Sequence, residues 1–163
     1  MEYVTVEREA VDEFIEKKSR FIGSCRPVQT EEEALDFIAK LKSQYWDASH
    51  NVYAYILREG NIARFSDDGE PQGTAGIPVI DTLKKAGVVD AVVVATRYFG
   101  GILLGGGGLI RAYSHTASIA WRRPAKSPCG SACCCPSPAT IPSTGRWPRW
   151  CRKTAAWWTA RSF

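Results

Sequence analysis

Nine of the chain's 14 glycines fall in two segments. Residues 64–76 read RFSDDGEPQGTAG, and residues 96–113 read TRYFGGILLGGGGLIRAY. Between them lies DAVVVA, residues 90–95, a short apolar run with the character of a buried strand. Glycine-rich stretches lose much backbone entropy on folding and bring little apolar surface to a core. A fold that retains two of them beside a central strand uses them to shape a surface, and function is expected on that surface.

A chain of 163 residues is long enough for one domain with its own core, needing neither disulfides nor metal. No apolar run reaches 18 residues, so no transmembrane helix and no membrane partner are expected. The first twenty residues, MEYVTVEREAVDEFIEKKSR, are acidic and alternating, unlike a secretory leader, and a cytoplasmic location is the expectation. The net charge of +4 is unevenly spread. Residues 1–120 hold 13 Lys and Arg against 17 Asp and Glu, a balance of −4, whereas residues 121–163 hold 8 basic residues and no acid.

Composition breaks at residue 121. The following 43 residues contain five Trp, six Pro, five Cys and six Arg but no Leu, Val, Asp or Glu. Without branched aliphatics at regular spacing they offer no stripe from which to build a core. A zinc site would need spaced cysteine pairs or histidine, and the tail has neither. A disulfide knot would need an oxidising compartment. Arg and Trp together would suit a nucleic-acid strip. The composition fits better with G/C-rich codons read out of frame, since residues 121–127 shifted by two bases can read Ala-Ala-Ala-Gly-Glu-Val. We therefore expect a domain over residues 1–120 and an out-of-frame, disordered tail over 121–163.

Within residues 1–120 the element pattern is α+β. An edge strand is expected over residues 2–7 and a second strand over 19–28, ending at Pro27. Thr30 followed by Glu33 forms a capping box: the Thr hydroxyl serves the Glu33 amide and Glu33 reaches back to the cap, worth about 1 kcal/mol. The helix it opens places Ala34, Leu35, Phe37, Ile38 and Leu41 on one face and ends near Tyr45. Residues 51–57 and 61–65 read as two strands joined by the turn 58–60. A helix over 75–86 has Pro78 in its first turn and Gly87 as its stop. A strand over 90–98 and a helix over 107–120 complete the order.

The candidate chemistry gathers on the two glycine segments. Gly100, Gly101, Gly105, Gly106, Gly107 and Gly108 lie between a strand and a helix, where exposed amides at a helix N-terminus favour an anion. The run is neither a P-loop nor a G-x-G-x-x-G fingerprint, so a tight strand-to-helix turn with close packing explains it better than an anion site does. Arg64, Arg97 and Arg111 are fork-shaped phosphate binders by chemistry. Arg97 either faces the same anion or pairs with Asp67, Asp68 or Glu70. Those three acids lack the spacing of a calcium loop, and an Asp/Gly turn accounts for them without metal. His50 could serve as a general base, but Ser49 and Ser66 carry no nucleophile-elbow motif; His115 reads as a surface residue, and Cys25 as an inert buried thiol. No catalytic constellation, cofactor or metal site is expected.

Residues 64–76 followed by 96–113, with DASHNVYAYIL and KKSRFIG before them, resemble the signature of the IMPACT/YigZ family. The resemblance covers about residues 1–120; Gly106 stands where a polar residue such as Thr is expected. It implies a two-layer α+β domain similar to the second domain of a small-subunit ribosomal protein and of elongation factor G. Bacterial members add a ferredoxin-like domain, for which the tail here stands instead. Eukaryotic relatives regulate translation by binding a partner of a stress kinase. Carried onto this chain, the implied binding surface comprises Arg64, Asp67, Asp68, Glu70, Thr96, Arg97, Tyr98, Gly100, Gly101, Gly105, Gly106, Gly107, Gly108 and Arg111. The expected role is a non-enzymatic, translation-associated binding protein whose partner is RNA, the ribosome or a translation-regulatory protein. The alternative is an enzyme or sensor taking a small anion, a phosphorylated small molecule or peptide, at the glycine turn. With the body at −4, any RNA contact must be a local patch, expected around Arg97 and Arg111.

Overall fold

A computed structural model describes residues 3–122 and 127–129. The elements are β1 (Tyr3–Thr5), β2 (Ala10–Glu16), β3 (Ser19–Pro27), α1 (Glu31–Gln44), β4 (His50–Leu57), a single 3-10 turn (Glu59–Asn61), β5 (Ile62–Ser66), α2 (Gly76–Ala86), β6 (Ala91–Tyr98), α3 (Gly106–Arg122) and β7 (Ser127–Cys129). Five strands form one antiparallel sheet in the order β2-β3-β6-β4-β5. β1 pairs separately with β7.

Strand β6 occupies the centre because its sequence permits nothing else. AVVVATR is buried from Ala91 to Arg97, so neither face of this strand meets water, the pattern of a strand covered on both sides. Val93 and Ala95 face α2 and α3 through a core that includes Phe21, Val52, Leu83 and Tyr113. Val92 and Val94 face α1 through Phe37, Ile38, Leu41 and Tyr55. The α+β class stands, with a fuller layering than the two layers expected: one helix covers one sheet face and two helices cover the other.

Local signals account for most boundaries. The Thr30 hydroxyl accepts from the Glu33 amide at 3.3 Å as expected, but the Glu33 carboxylate reaches one residue further back, to the Gln29 amide at 2.8 Å. Ala34, Phe37, Ile38 and Leu41 form the buried stripe of α1, each large side chain contributing about 1.5–3 kcal/mol. Leu35 lies 48% exposed and is not part of it. Gly87 ends α2 with φ +66°, the left-handed cap that a β-carbon would penalise.

Strand β2 was not expected from the sequence. Val11 and Ile15 point into solvent at 48% and 72% exposure, which blurs the alternation. The turn into β3 consists of Lys17 and Lys18, at φ +45° and +66°. Both central residues of a two-residue hairpin loop adopt positive φ in the I′ form that matches strand twist. Gly and Asn are its usual occupants, so two lysines conceal it. The edge strand of residues 2–7 is shorter than expected and belongs to the small sheet.

The last helix extends past the composition break. Trp121, the first residue of the anomalous segment, is buried in the α2–α3 core. Ser127–Cys129 form β7. The expectation of a disordered tail falls otherwise on residues 123–126 and 130–163, which lie outside the described residues.

Candidate functional site

Segment 66–76 is built around three acids that go separate ways. The Asp67 carboxylate accepts hydrogen bonds from the amides of Gly73, Ala75 and Gly76 at 3.0, 3.1 and 2.7 Å. It therefore satisfies orphan N–H groups at the start of α2 and complements the helix dipole. Asp68 turns toward the sheet, accepting from the Asn51 amide at 2.7 Å and the Lys42 ammonium at 2.6 Å. Burial opposes its charge, but Lys42 and the amide outweigh that and hold the carboxyl below its ordinary value. Glu70 goes inward. Among the described residues no three His, Cys, Asp or Glu side chains gather as a metal would require.

Glu70 is the hub of a buried polar cluster that closes beneath the glycine loop. Its Oε1 accepts from Arg97 Nη1 at 2.5 Å and from the Tyr113 hydroxyl at 2.8 Å. Arg97 and Glu70 are 5% and 8% exposed. The Tyr113 phenol is driven well above its ordinary range by burial and then by the adjacent Glu70 charge. His50 places Nε2 3.8 Å from Glu70 Oε1, with Nδ1 2.9 Å from the Asp68 carbonyl. That carbonyl only accepts, so Nδ1 carries a proton and Nε2 is the ring atom that faces Glu70. The Arg97 guanidinium also lies 5.6 Å from the Phe21 ring centroid and 5.4 Å from that of Phe99, while its Nε makes no hydrogen bond among the described residues. Phe99 begins the glycine loop, so the buried cluster anchors one end of it.

The loop itself, residues 99–105, is pressed against the β2–β3 turn. A β-carbon on Gly100 would overlap the Lys18 carbonyl, so only glycine permits this approach. The Gly100 amide donates to Ser19 Oγ at 3.3 Å. Phe99 before the contact and Ile102 and Leu103 beyond it are exposed at 47%, 42% and 82%. At Gly106 and Gly107 nothing among the described residues lies within 4 Å of where a β-carbon would sit, so the first turn of α3 presents bare backbone. Beside it opens a cleft of about 480 Å³, walled by Phe14, Leu104, Gly108 and Ala112 and rimmed by Glu16, Lys17, Arg111 and His115.

The expected site residues divide accordingly. Gly100, Gly101, Gly105, Gly106, Gly107, Gly108 and Arg111 belong to this exposed face. Arg97, expected in one patch with Arg111, is instead internally paired and withdrawn from solvent. Glu70 and Thr96 are buried, Thr96 donating to Asn51 Oδ1 at 2.8 Å on the opposite sheet face. Tyr98 donates to Asp47 at 2.9 Å and Arg64 pairs with Glu31 at 3.3 Å, both away from the loop. Lys17, Lys18, Phe14, Tyr113 and His50 were absent from the sequence-derived set. Only the chain crossing brings them here, from positions 14 to 113.

Fold and site together define a small α+β domain in which a buried ionic cluster supports a glycine-rich surface loop. The Impact N-terminal domain model matches residues 17–121. The chain is 50% identical over 117 residues to the IMPACT family member YvyE of Bacillus subtilis, covering 71% of this chain and 54% of that protein. It is 40% identical over 110 residues to the IMPACT family member YigZ of Escherichia coli, covering 66% and 54%. A crystal structure described as that of a hypothetical protein superposes with a TM-score of 0.73 at 34% identity, over 77% of this chain and 63% of the other. The chain belongs to the IMPACT family, and it spans about half the length of these curated relatives.

Proposed function

We propose that this chain is a non-enzymatic binding protein associated with translation, engaging RNA, the ribosome or a protein that regulates translation. Family membership supplies the translational context. The observation that carries the binding role is the composition of the loop face: exposed Phe99, Ile102 and Leu103 stand beside exposed Lys17, Lys18 and Arg111. Apolar and aromatic groups interleaved with cations suit both nucleic acid, through stacking and phosphate contact, and an acidic protein surface. Arg97 is replaced in this role by the lysine turn, because a buried ion pair is not available to a phosphate.

The test is titration of the full chain with ribosomes and with structured RNA at two salt concentrations. Binding that weakens steeply with salt and is lost in the double variant Lys17→Glu, Lys18→Glu supports a phosphate partner. Binding that ignores salt but is lost in Leu103→Asp supports a protein partner. Unaltered binding in both variants contradicts this surface. A second reading, a sensor or enzyme for a phosphorylated small molecule or peptide at the glycine turn, is favoured by the cleft beside Gly108.

A further inference from the structure

The cleft beneath the loop combines charge and apolar surface in a way that a flat docking face does not require. Phe14 from β2 and Leu104 from the loop form its walls, while Lys17, Arg111 and His115 stand on its rim. Among the described residues, neither Lys17 nor Arg111 has a carboxylate within ion-pairing distance. The acidic body thus carries two unneutralised cations at one opening. Both come from constrained backbone: Lys17 sits at positive φ in the hairpin turn, and Arg111 lies in α3. His115 follows Arg111 by one helical turn and is held edge-on to Phe14, with ring centroids 4.6 Å apart.

We propose that this cleft binds a phosphorylated organic molecule of nucleoside-monophosphate size. Lys17 and Arg111 hold the phosphate, and the body of the ligand lodges between Phe14 and Leu104. The proposal rests on the second reading above and gives it a site and a ligand class. A volume of about 480 Å³ lies within the usual range for small-molecule sites. Glu16 on the same rim leaves two positive charges against one negative, which suits one phosphate better than a polyphosphate. The phosphate monoester has two natural sources, a free nucleotide or the 5′ end of an RNA chain.

The experiment titrates the full chain with AMP, GMP, CMP and UMP, and with adenosine, following the His115 imidazole resonances and the heat of binding. Saturable binding of a monophosphate is expected, with removal of the phosphate, Arg111→Ala or Lys17→Ala each weakening it by about tenfold or more. Both variants alter exposed side chains and should melt as the parent does. Failure of all four monophosphates to bind overturns the proposal, as does affinity unchanged in both variants. An octaribonucleotide with and without a 5′-phosphate separates the sources. Tighter binding of its phosphorylated form than of any monophosphate assigns an RNA end, and the reverse order assigns a free nucleotide. Leu103→Asp leaves the cleft walls untouched, so ribosome binding lost there while nucleotide binding persists distinguishes the docking face from the cleft.

Discussion

At the scale of single residues, Glu70 decides most. Its carboxylate neutralises an arginine that is 5% exposed, and removing one partner of a buried pair leaves an uncompensated charge. Glu70→Ala should therefore destabilise the domain by about 3–5 kcal/mol. Tyr113→Phe, which removes one hydrogen bond, should cost only about 1–2 kcal/mol. Denaturant unfolding of the two variants checks the order; equal losses would contradict a Glu70-centred cluster. Cys25 gives a second residue-level prediction. Burial pushes its thiol up to about 12, and its Sγ donates to the Ala120 carbonyl at 2.9 Å. The folded-state value is raised, so the stabilisation is fully present below the unfolded value near 9 and is lost as pH rises through about 12. Peptide mapping after alkylation at pH 8 should find Cys25 unmodified in the native protein and modified in the unfolded one. The sequence already offered Cys25 as an inert thiol and Glu70 as one of three partners for Arg97. It could not offer Tyr113 or His50, because the contacts that recruit them span 43 and 20 positions and leave no local pattern.

At the scale of elements, legibility followed backbone chemistry. The Thr30 cap, the Gly87 stop and the valine run of β6 all announce themselves through residue types that the backbone conformation demands. β2 did not, because its turn uses lysines where glycine or asparagine is usual and its outer face carries Val11 and Ile15. Replacing Lys17-Lys18 by Asn-Gly should accordingly stabilise the hairpin, by about 0.5–1 kcal/mol per relieved position, while weakening any partner that needs the charges. A melting temperature that falls would contradict the strain argument. Helix α2 depends on Asp67, which serves three amides at its start. Asp67→Ala should cost about 1–2 kcal/mol and loosen segment 66–76 in amide hydrogen exchange. Unchanged exchange there would show that the loop is held by other contacts.

At the scale of the molecule, the sheet gathers two distant glycine segments and gives them different work. The first, residues 64–76, turns its acids inward to cap a helix, brace the sheet and neutralise Arg97. The second, residues 99–108, is thereby anchored at Phe99 and free to face outward beside the lysine turn. Both segments are visible in the sequence, but spacing alone does not say which way a side chain points, so their two faces cannot be told apart there. On the proposed function, the loop face and not the acidic segment meets the partner. Hydrogen–deuterium exchange of the full chain with and without ribosomes tests it most directly. Protection confined to residues 17–18 and 99–111 is the result expected. Protection of 64–76 or of α1 with the loop unchanged would contradict it.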